Sequence, residues 1–272
     1  MNNSNIAFIG AGNMASSLIG GLVQQGCQKE KLFVSDPSAE QRQRLVDKYG
    51  VNACEDNHQA ALQADVLVLA VKPQVMKEVL KDLNRSVKQK QPLIISIAAG
   101  IPLATFSTLL GEKTAVVRCM PNTPSLVGVG ATGMMANPNV SEAQKTLAEQ
   151  VLGAVGVALW VNKEAQIDAV TALSGSGPAY FFLLMESMIA AGEALGLDTE
   201  TAKQLTLQTA LGAATMAQQS DVPPSTLRQR VTSPGGTTEQ ALKTFEDGGF
   251  RSLVDAALTA ADKRSKELAE LT

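Results

Sequence analysis

Ile6-Ala7-Phe8-Ile9-Gly10-Ala11-Gly12-Asn13-Met14-Ala15 decides how the chain is read. A short apolar run stops at a glycine, and Leu18, Ile19, Leu22 and Val23 then recur at helical spacing. That order is strand, glycine turn, helix. Inside it lies Gly10-x-Gly12-x-x-Ala15, the G-x-G-x-x-G/A dinucleotide pattern. The pattern alone is a weak signal; following a strand and opening a helix is the context that gives it meaning. Gly10 permits the tight turn, Gly12 lets backbone approach a pyrophosphate, and Ala15 allows the helix to pack close on the strand. The helix N-terminus then faces the phosphates.

Outward from that unit, strand and helix signals alternate. Leu32–Asp36 reads as a second strand, and Ser38–Tyr49 as a polar helix stopped at Gly50. Val66–Val71 and Leu93–Ile97 are continuous apolar runs, as strands covered on both faces must be. Val75–Leu83 is a helix between them, and Pro102 suits the first turn of another. Ala115–Cys119 is a further strand, followed by the proline-rich loop Met120–Pro124. Ser141 with Gln144 forms a capping box for a helix running to Val155, and Val157–Val161 is the last strand. The alternation predicts a doubly wound parallel sheet of Rossmann type.

After Asn162 the strand signals stop. Helices are expected at Glu164–Leu173, Ala179–Leu195, Thr199–Gln219, Thr226–Val231, Thr238–Glu246 and Arg251–Leu271. At roughly 150 residues per domain, 272 residues make about two. The fold class is therefore α/β: a nucleotide-binding domain over 1–162 and an all-helical domain over 163–272, the boundary resting on the change of period.

Composition narrows the partners. Net charge is −3 and no basic run occurs, so neither nucleic acid nor an anionic membrane surface is expected. Cys27, Cys54 and Cys119 are scattered without a CxxC, which reads as reduced core thiols in a cytoplasmic protein. With one histidine, His58, no metal site is expected; His58 lies in a polar stretch and reads as solvated. The N-terminus shows no leader-like basic region. Ala179–Leu195 is interrupted by Glu186 and Glu193, too short and charged for a membrane span, and reads as a buried helix.

Ligands of open α/β sheets sit beyond the carboxyl ends of strands. Asp36 ends the second strand 24 residues after Gly12, where an acid holds ribose hydroxyls and selects NAD. Ser35, Ser38, Arg42 and Arg44 favour a 2′-phosphate instead, so the residues point both ways on the cofactor. Ala70-Val71-Lys72-Pro73 and Ser96-Ile97-Ala98-Ala99-Gly100 end two further strands with small residues against which a nicotinamide ribose can lie.

The helical half carries two polar turns, Ser174-Gly175-Ser176-Gly177-Pro178 and Ser233-Pro234-Gly235-Gly236-Thr237-Thr238. Each is read as a loop before a helix, presenting backbone N–H groups to an anion. Neither contains Lys, His, Asp or Glu. Reducing a ketone calls for a proton donor at the forming alkoxide. A cyclic imine is basic enough to arrive protonated, so it needs only a carboxylate cradle and a hydroxyl near its nitrogen. Other readings are a six-membered imine acid as substrate, or a nucleotide sensor without turnover.

Six stretches resemble the pyrroline-5-carboxylate reductase family: Phe8–Met14, Ala70–Pro73, Ser96–Gly100, Arg118-Cys119-Met120-Pro121-Asn122-Thr123-Pro124, Leu173–Tyr180 and Ser233–Thr238. The resemblance implies reduction of L-1-pyrroline-5-carboxylate to L-proline with NADPH, NADH also serving. It implies a homodimer of interlocking helices, often joined into a decamer, with active sites completed by the dimer partner. It places Thr238 at the ring nitrogen as the catalytic contact. Ser174, Gly175, Ser233, Gly235, Gly236 and Thr237 are the other substrate contacts. Cofactor contacts are expected at Gly10, Ala11, Gly12, Asn13, Met14, Ser35, Asp36, Asn57, Ala70, Val71, Lys72, Pro73, Ala98, Ala99, Asn122 and Pro178. Asp36 departs from the serine of some members.

Overall fold

The computed structural model describes residues 4–270. The first three residues, read as carrying no leader, and residue 271, where the last helix is expected to end, lie outside that range. The chain forms two compact units: one holds the residues through Ser176 together with those from Ala260 on, the other is Gly177–Thr259. The first unit thus runs past the change of period at 162 and takes back the end of the chain.

The first unit is built on an eight-stranded sheet: β1 (Ile6–Ile9), β2 (Leu32–Ser35), β3 (Asn52–Ala53), β4 (Val66–Leu69), β5 (Leu93–Ser96), β6 (Val116–Met120), β7 (Gly130–Ala136) and β8 (Gly156–Trp160). Their order is β3-β2-β1-β4-β5-β6-β7-β8. The first six are parallel, in the doubly wound order whose reversal falls between β1 and β4. β7, which the sequence does not announce, runs antiparallel to β6, and β8 pairs parallel with it.

Strand periodicity divides the core. Ile6 and Phe8 of β1 join the cluster that holds Leu18 and Leu22, while Ala7 and Ile9 join the opposite cluster with Met76, Leu80 and Phe106. Successive side chains leave opposite faces of a strand, so an all-apolar β1 needs a helical layer on each side. Those layers are α1 (Asn13–Gln24), α2 (Ala39–Tyr49), α3 (Asn57–Gln63), α4 (Pro73–Lys90), α5 (Leu103–Leu110) and α6 (Glu142–Leu152). Their ends follow local chemistry. The Ser38 side chain caps α2 by accepting from the Gln41 N–H. Pro73 opens α4. The capping box of Ser141 and Gln144 opens α6 as expected.

His58 is not simply solvated. Its Nδ1 lies 3.0 Å from Ser86 Oγ and its Nε2 3.0 Å from Asp82 Oδ1, tying α3 to α4. The three cysteines are free and buried, and burial raises the thiol pKa of each.

α7 (Gln166–Val170) does not end in a loop. Thr171–Gly175 continues it as one π-helical turn, with the Ser176 N–H donating to Thr171 O at 2.8 Å. The helical run Gln166–Ala194 spans 29 residues, long and apolar enough by length and composition to cross a membrane, where the sequence predicted two shorter helices.

The last helix, α12 (Phe250–Glu270), brings its final turns to the first unit. There Ser265 Oγ donates to Asp168 Oδ1 at 2.7 Å, and both residues are 8% exposed. Losing the donor leaves a buried carboxylate oxygen short of a partner. Ser265→Ala is therefore expected to cost about 1–3 kcal/mol in urea unfolding, with the midpoint lowered and the slope unchanged; a midpoint equal to wild type would show that the pair contributes nothing.

The second unit contains α8 (Gly177–Ala194), α9 (Thr199–Gln219), α10 (Pro224–Arg230), α11 (Thr237–Asp247) and the start of α12. α8 and α9 pack closely: a Cβ on Gly192 would stand 3.3 Å from that of Ala202. Gly196 lies beyond α8 with φ +100 and belongs to the connection to α9. Contrary to the buried helix expected, α8 is largely exposed: Phe181 at 64%, Phe182 at 58% and Leu183 at 64%. Only Gly177, Ala202 and Thr206 are buried across Gly177–Thr259. This unit therefore has almost no interior of its own, and its apolar side chains form an exposed surface of the kind that marks an interaction site.

Candidate functional site

Within the first unit, the residues expected to contact the nucleotide lie at the carboxyl ends of β1, β2, β4, β5 and β6. The Gly10 N–H donates to Ser35 O at 2.7 Å, which joins the first turn to the end of β2. Gly10 has φ +103, and a Cβ there would lie 2.6 Å from Ala70 O, so the turn and the end of β4 fit only through a glycine. Gly12, the N-cap of α1, has φ −71, carries no side-chain cap, and has nothing within 4 Å of a notional Cβ. The N–H groups of the first turn therefore face a space that a side chain at residue 12 would fill. This is what a pyrophosphate held on a helix N-terminus requires, so the residues fit a dinucleotide.

The two glycines predict separable effects. Gly10→Ala meets both positive φ and the Ala70 carbonyl, and is expected to cost at least about 2 kcal/mol of stability. Gly12→Ala is expected to cost under about 1 kcal/mol while weakening NADPH binding about tenfold, or about 1.4 kcal/mol. Thermal melts and fluorescence titration of the two variants check both. Equal loss of stability in the two would contradict the geometry.

Asp36 is half-buried, and its carboxylate is already engaged. Oδ2 accepts from the Ala11 N–H at 2.8 Å and Oδ1 from the Ser38 N–H at 2.8 Å. The guanidinium of Arg42 donates to Asp36 O, and Arg44 Nη2 donates to Ala11 O at 2.9 Å, so two cations flank the turn. Ser35 Oγ donates to Asn57 Oδ1 at 2.9 Å, placing Asn57 beside the end of β2. Val71 is half-buried; Lys72 is exposed as the N-cap of α4, ahead of Pro73. Ala98 is buried and Ala99 exposed, so the loop after β5 presents one small residue to solvent. The loop is anchored where Ile97 N–H donates to Leu69 O at 3.2 Å and Cys119 Sγ donates to Ser96 O at 3.0 Å.

Asn122 has a structural task. Its amide donates to Ser174 O at 3.0 Å and its Oδ1 accepts from the Ala131 N–H at 2.8 Å. The Ser174–Gly175 segment is likewise not an open turn: Ser174 Oγ donates to Val170 O at 3.0 Å inside the π-helical turn. Its N–H groups are not gathered at a helix start. Pro178 is the second residue of α8 rather than the first. π-helical turns are uncommon and cluster at functional sites.

In the second unit the expected turn has the predicted shape. Gly235 has φ +70. Gly236 is the N-cap of α11 with no side-chain cap, and Thr237 and Thr238 are its first residues. The Gly236 N–H donates to Ser233 O at 3.0 Å, which closes the turn. Ser233, Gly235 and Thr237 are exposed; Gly236 and Thr238 are half-buried. The turn itself has no acid, but one neighbour brings a carboxylate to it: Glu239 Oε2 accepts from the Gly235 N–H at 2.8 Å. N-cap and N3 spacing, Gly236 to Glu239, is the signal that identifies it. Among the described residues no group of three or more His, Cys, Asp or Glu is placed to hold a metal ion.

Residues 164–268 match the family described as pyrroline-5-carboxylate reductase dimerisation. Residues 5–100 match NADP oxidoreductase, coenzyme F420-dependent. A pyrroline-5-carboxylate reductase of Pseudomonas aeruginosa is 58% identical over 99% of this chain and 98% of its own length. The chain belongs to the pyrroline-5-carboxylate reductase family.

Solved structures agree. A pyrroline-5-carboxylate reductase from Coxiella burnetii shares 49% identity at a TM-score of 0.96, covering 98% of this chain and 99% of its own. A pyrroline carboxylate reductase from Plasmodium falciparum, solved with NADP bound, shares 34% identity at a TM-score of 0.86, covering 99% of each chain. The chain is accordingly an NAD(P)H-dependent oxidoreductase with a Rossmann-like domain and a helical self-association domain.

Proposed function

We propose that the chain reduces L-1-pyrroline-5-carboxylate to L-proline, the last step of proline biosynthesis. The observation that carries this reading is the first turn of α11: a helix N-terminus opened by Gly236, without a capping side chain, bearing the hydroxyls of Thr237 and Thr238. The main-chain N–H groups of the first residues, Thr237 and Thr238, suit the substrate carboxylate, with Ser233, Gly235 and Gly236 shaping its cradle beside Thr237. The Thr238 hydroxyl holds the ring nitrogen. Glu239 keeps the cradle's shape through Gly235.

NADPH, when bound, supplies the hydride from C4 of its nicotinamide to the carbon of the C=N bond. The chain's part is to hold that ring through Ala70, Val71, Lys72, Pro73, Ala98, Ala99, Asn122 and Pro178, and its phosphates on Gly10–Met14. We read NADPH as the preferred donor and NADH as the slower one. Both oxygens of Asp36 are held by main-chain N–H groups, and Arg42 and Arg44 stand beside the turn. Residues 1–162 act as the nucleotide half and 163–272 as the substrate-binding and self-association half. The apolar surface of α8 serves a second copy rather than a bilayer; dimers assemble further into a decamer, and the enzyme works in the cytoplasm.

Purified protein is expected to oxidise NADPH, and more slowly NADH, only when pyrroline-5-carboxylate is present. The six-membered imine acid is expected to react about tenfold more slowly or worse, since one methylene in a pocket is worth about 1–3 kcal/mol. No turnover of either cofactor with pyrroline-5-carboxylate would contradict the reading.

A further inference from the structure

The loop from Ser96 to Leu103 leads from β5 to α5, and it is fastened by residues that no nucleotide pattern contains. α5 starts after Pro102, which offers no side-chain cap. Its first N–H, that of Leu103, instead donates to Glu164 Oε1 at 2.7 Å, from 61 residues away. A carboxylate at this end of a helix is favoured by both the free N–H groups and the helix dipole. The same Oε1 takes Arg118 Nη1 at 2.7 Å. Arg118 is 4% exposed and sits on β6 in register with Ser96, at the loop's other end. Four residues beyond Glu164, Asp168 holds Ser265 of α12. The backbone of Leu268 and Ala269 lies 3.9 Å from where a Gly100 Cβ would stand.

We propose that Glu164 is a positioning residue for hydride transfer: with Arg118 it fixes the Ala98–Gly100 loop at the height the nicotinamide end of the cofactor needs. This rests on the reading of Ala98 and Ala99 as cofactor contacts. The brace begins in the self-association half of the sequence and ends on the nucleotide rim. Among the described residues its buried cation, Arg118, pairs with Glu164 and with no second acid, and its Nε has no hydrogen-bond partner. Removing Glu164 therefore releases Leu103 and strands Arg118 together. The loop is affected and the Gly10–Met14 turn is not.

The test is fluorescence titration of the full-length enzyme with NADPH and with 2′,5′-ADP, which lacks the nicotinamide. Glu164→Ala is expected to weaken NADPH about tenfold, the size of one charge-assisted hydrogen bond, and to leave 2′,5′-ADP within about twofold. Glu164→Gln keeps an acceptor for Leu103 and loses only the charge, so a smaller loss of about threefold is expected. That variant carries the test if the alanine variant does not fold. Parallel weakening of both ligands, or no change in NADPH binding, overturns the proposal. Ala99→Val separates the two readings. If it weakens NADPH and the Glu164 variants do not, the brace is wrong; if Ala99→Val binds NADPH as wild type does, the loop's role as a cofactor contact is wrong.

Discussion

Thr238→Ala is expected to lower kcat/KM for pyrroline-5-carboxylate about 100-fold, or about 2.7 kcal/mol, as loss of a donor placed at the reacting group does. Thr238 is half-buried in the first turn of α11, and the N-cap of that helix is Gly236, not Thr238. Alanine is also a good helix residue. The thermal midpoint should therefore stay within about 1 °C of wild type, a shift worth about 0.5 kcal/mol in a chain of this size. Affinity for NADPH should not change. Wild-type turnover in this variant would remove Thr238 from the ring nitrogen, and a collapse of stability would make its role structural.

Phe182→Glu should break self-association. Phe182 is 58% exposed on α8, between Phe181 and Leu183, on a unit with three buried residues. If a second copy covers this face, an unpaired carboxylate placed in it costs about 4 kcal/mol. That corresponds to about a thousandfold weaker association. Sedimentation of the wild type is expected to give an oligomer whose melting temperature rises with protein concentration. The variant should sediment as a monomer that melts lower, independently of concentration. A variant that sediments as wild type does would mean that the covering of α8 lies elsewhere.

The nucleotide half was legible because its chemistry is local. β1, β4 and β5 are short runs buried on both faces, and a glycine turn between strand and helix constrains its own backbone. Gly10 is demanded by a carbonyl 2.6 Å away, and the G-x-G pattern encodes that demand. β7 was not legible: Gly130-Ala131-Thr132-Gly133-Met134-Met135-Ala136 has glycines where strands favour branched residues. Gly133 is there because a Cβ would meet Val170 at 2.6 Å, a contact fixed by a helix elsewhere in the chain.

The site was legible unevenly for the same reason. Gly235, Gly236 and the threonines behave as their local sequence says. Ser174–Pro178 does not: its breakers predict a loop, but one extra residue per turn absorbs the segment into a continuous helix. Glu239 shows how a residue just outside a motif can still bind it. Pairs such as Ser265 with Asp168, 97 residues apart, leave no periodicity to read. The exposure of α8 is likewise invisible from its composition, which looks the same for a helix covered by its own chain and one covered by another.

Deuterium transfer tests the central claim most directly. Enzyme incubated with pyrroline-5-carboxylate and NADPH deuterated at C4 on the transferred face should yield L-proline carrying one deuterium at C5, the former imine carbon. Proline without the label, or consumption of the cofactor without proline, would contradict the assignment.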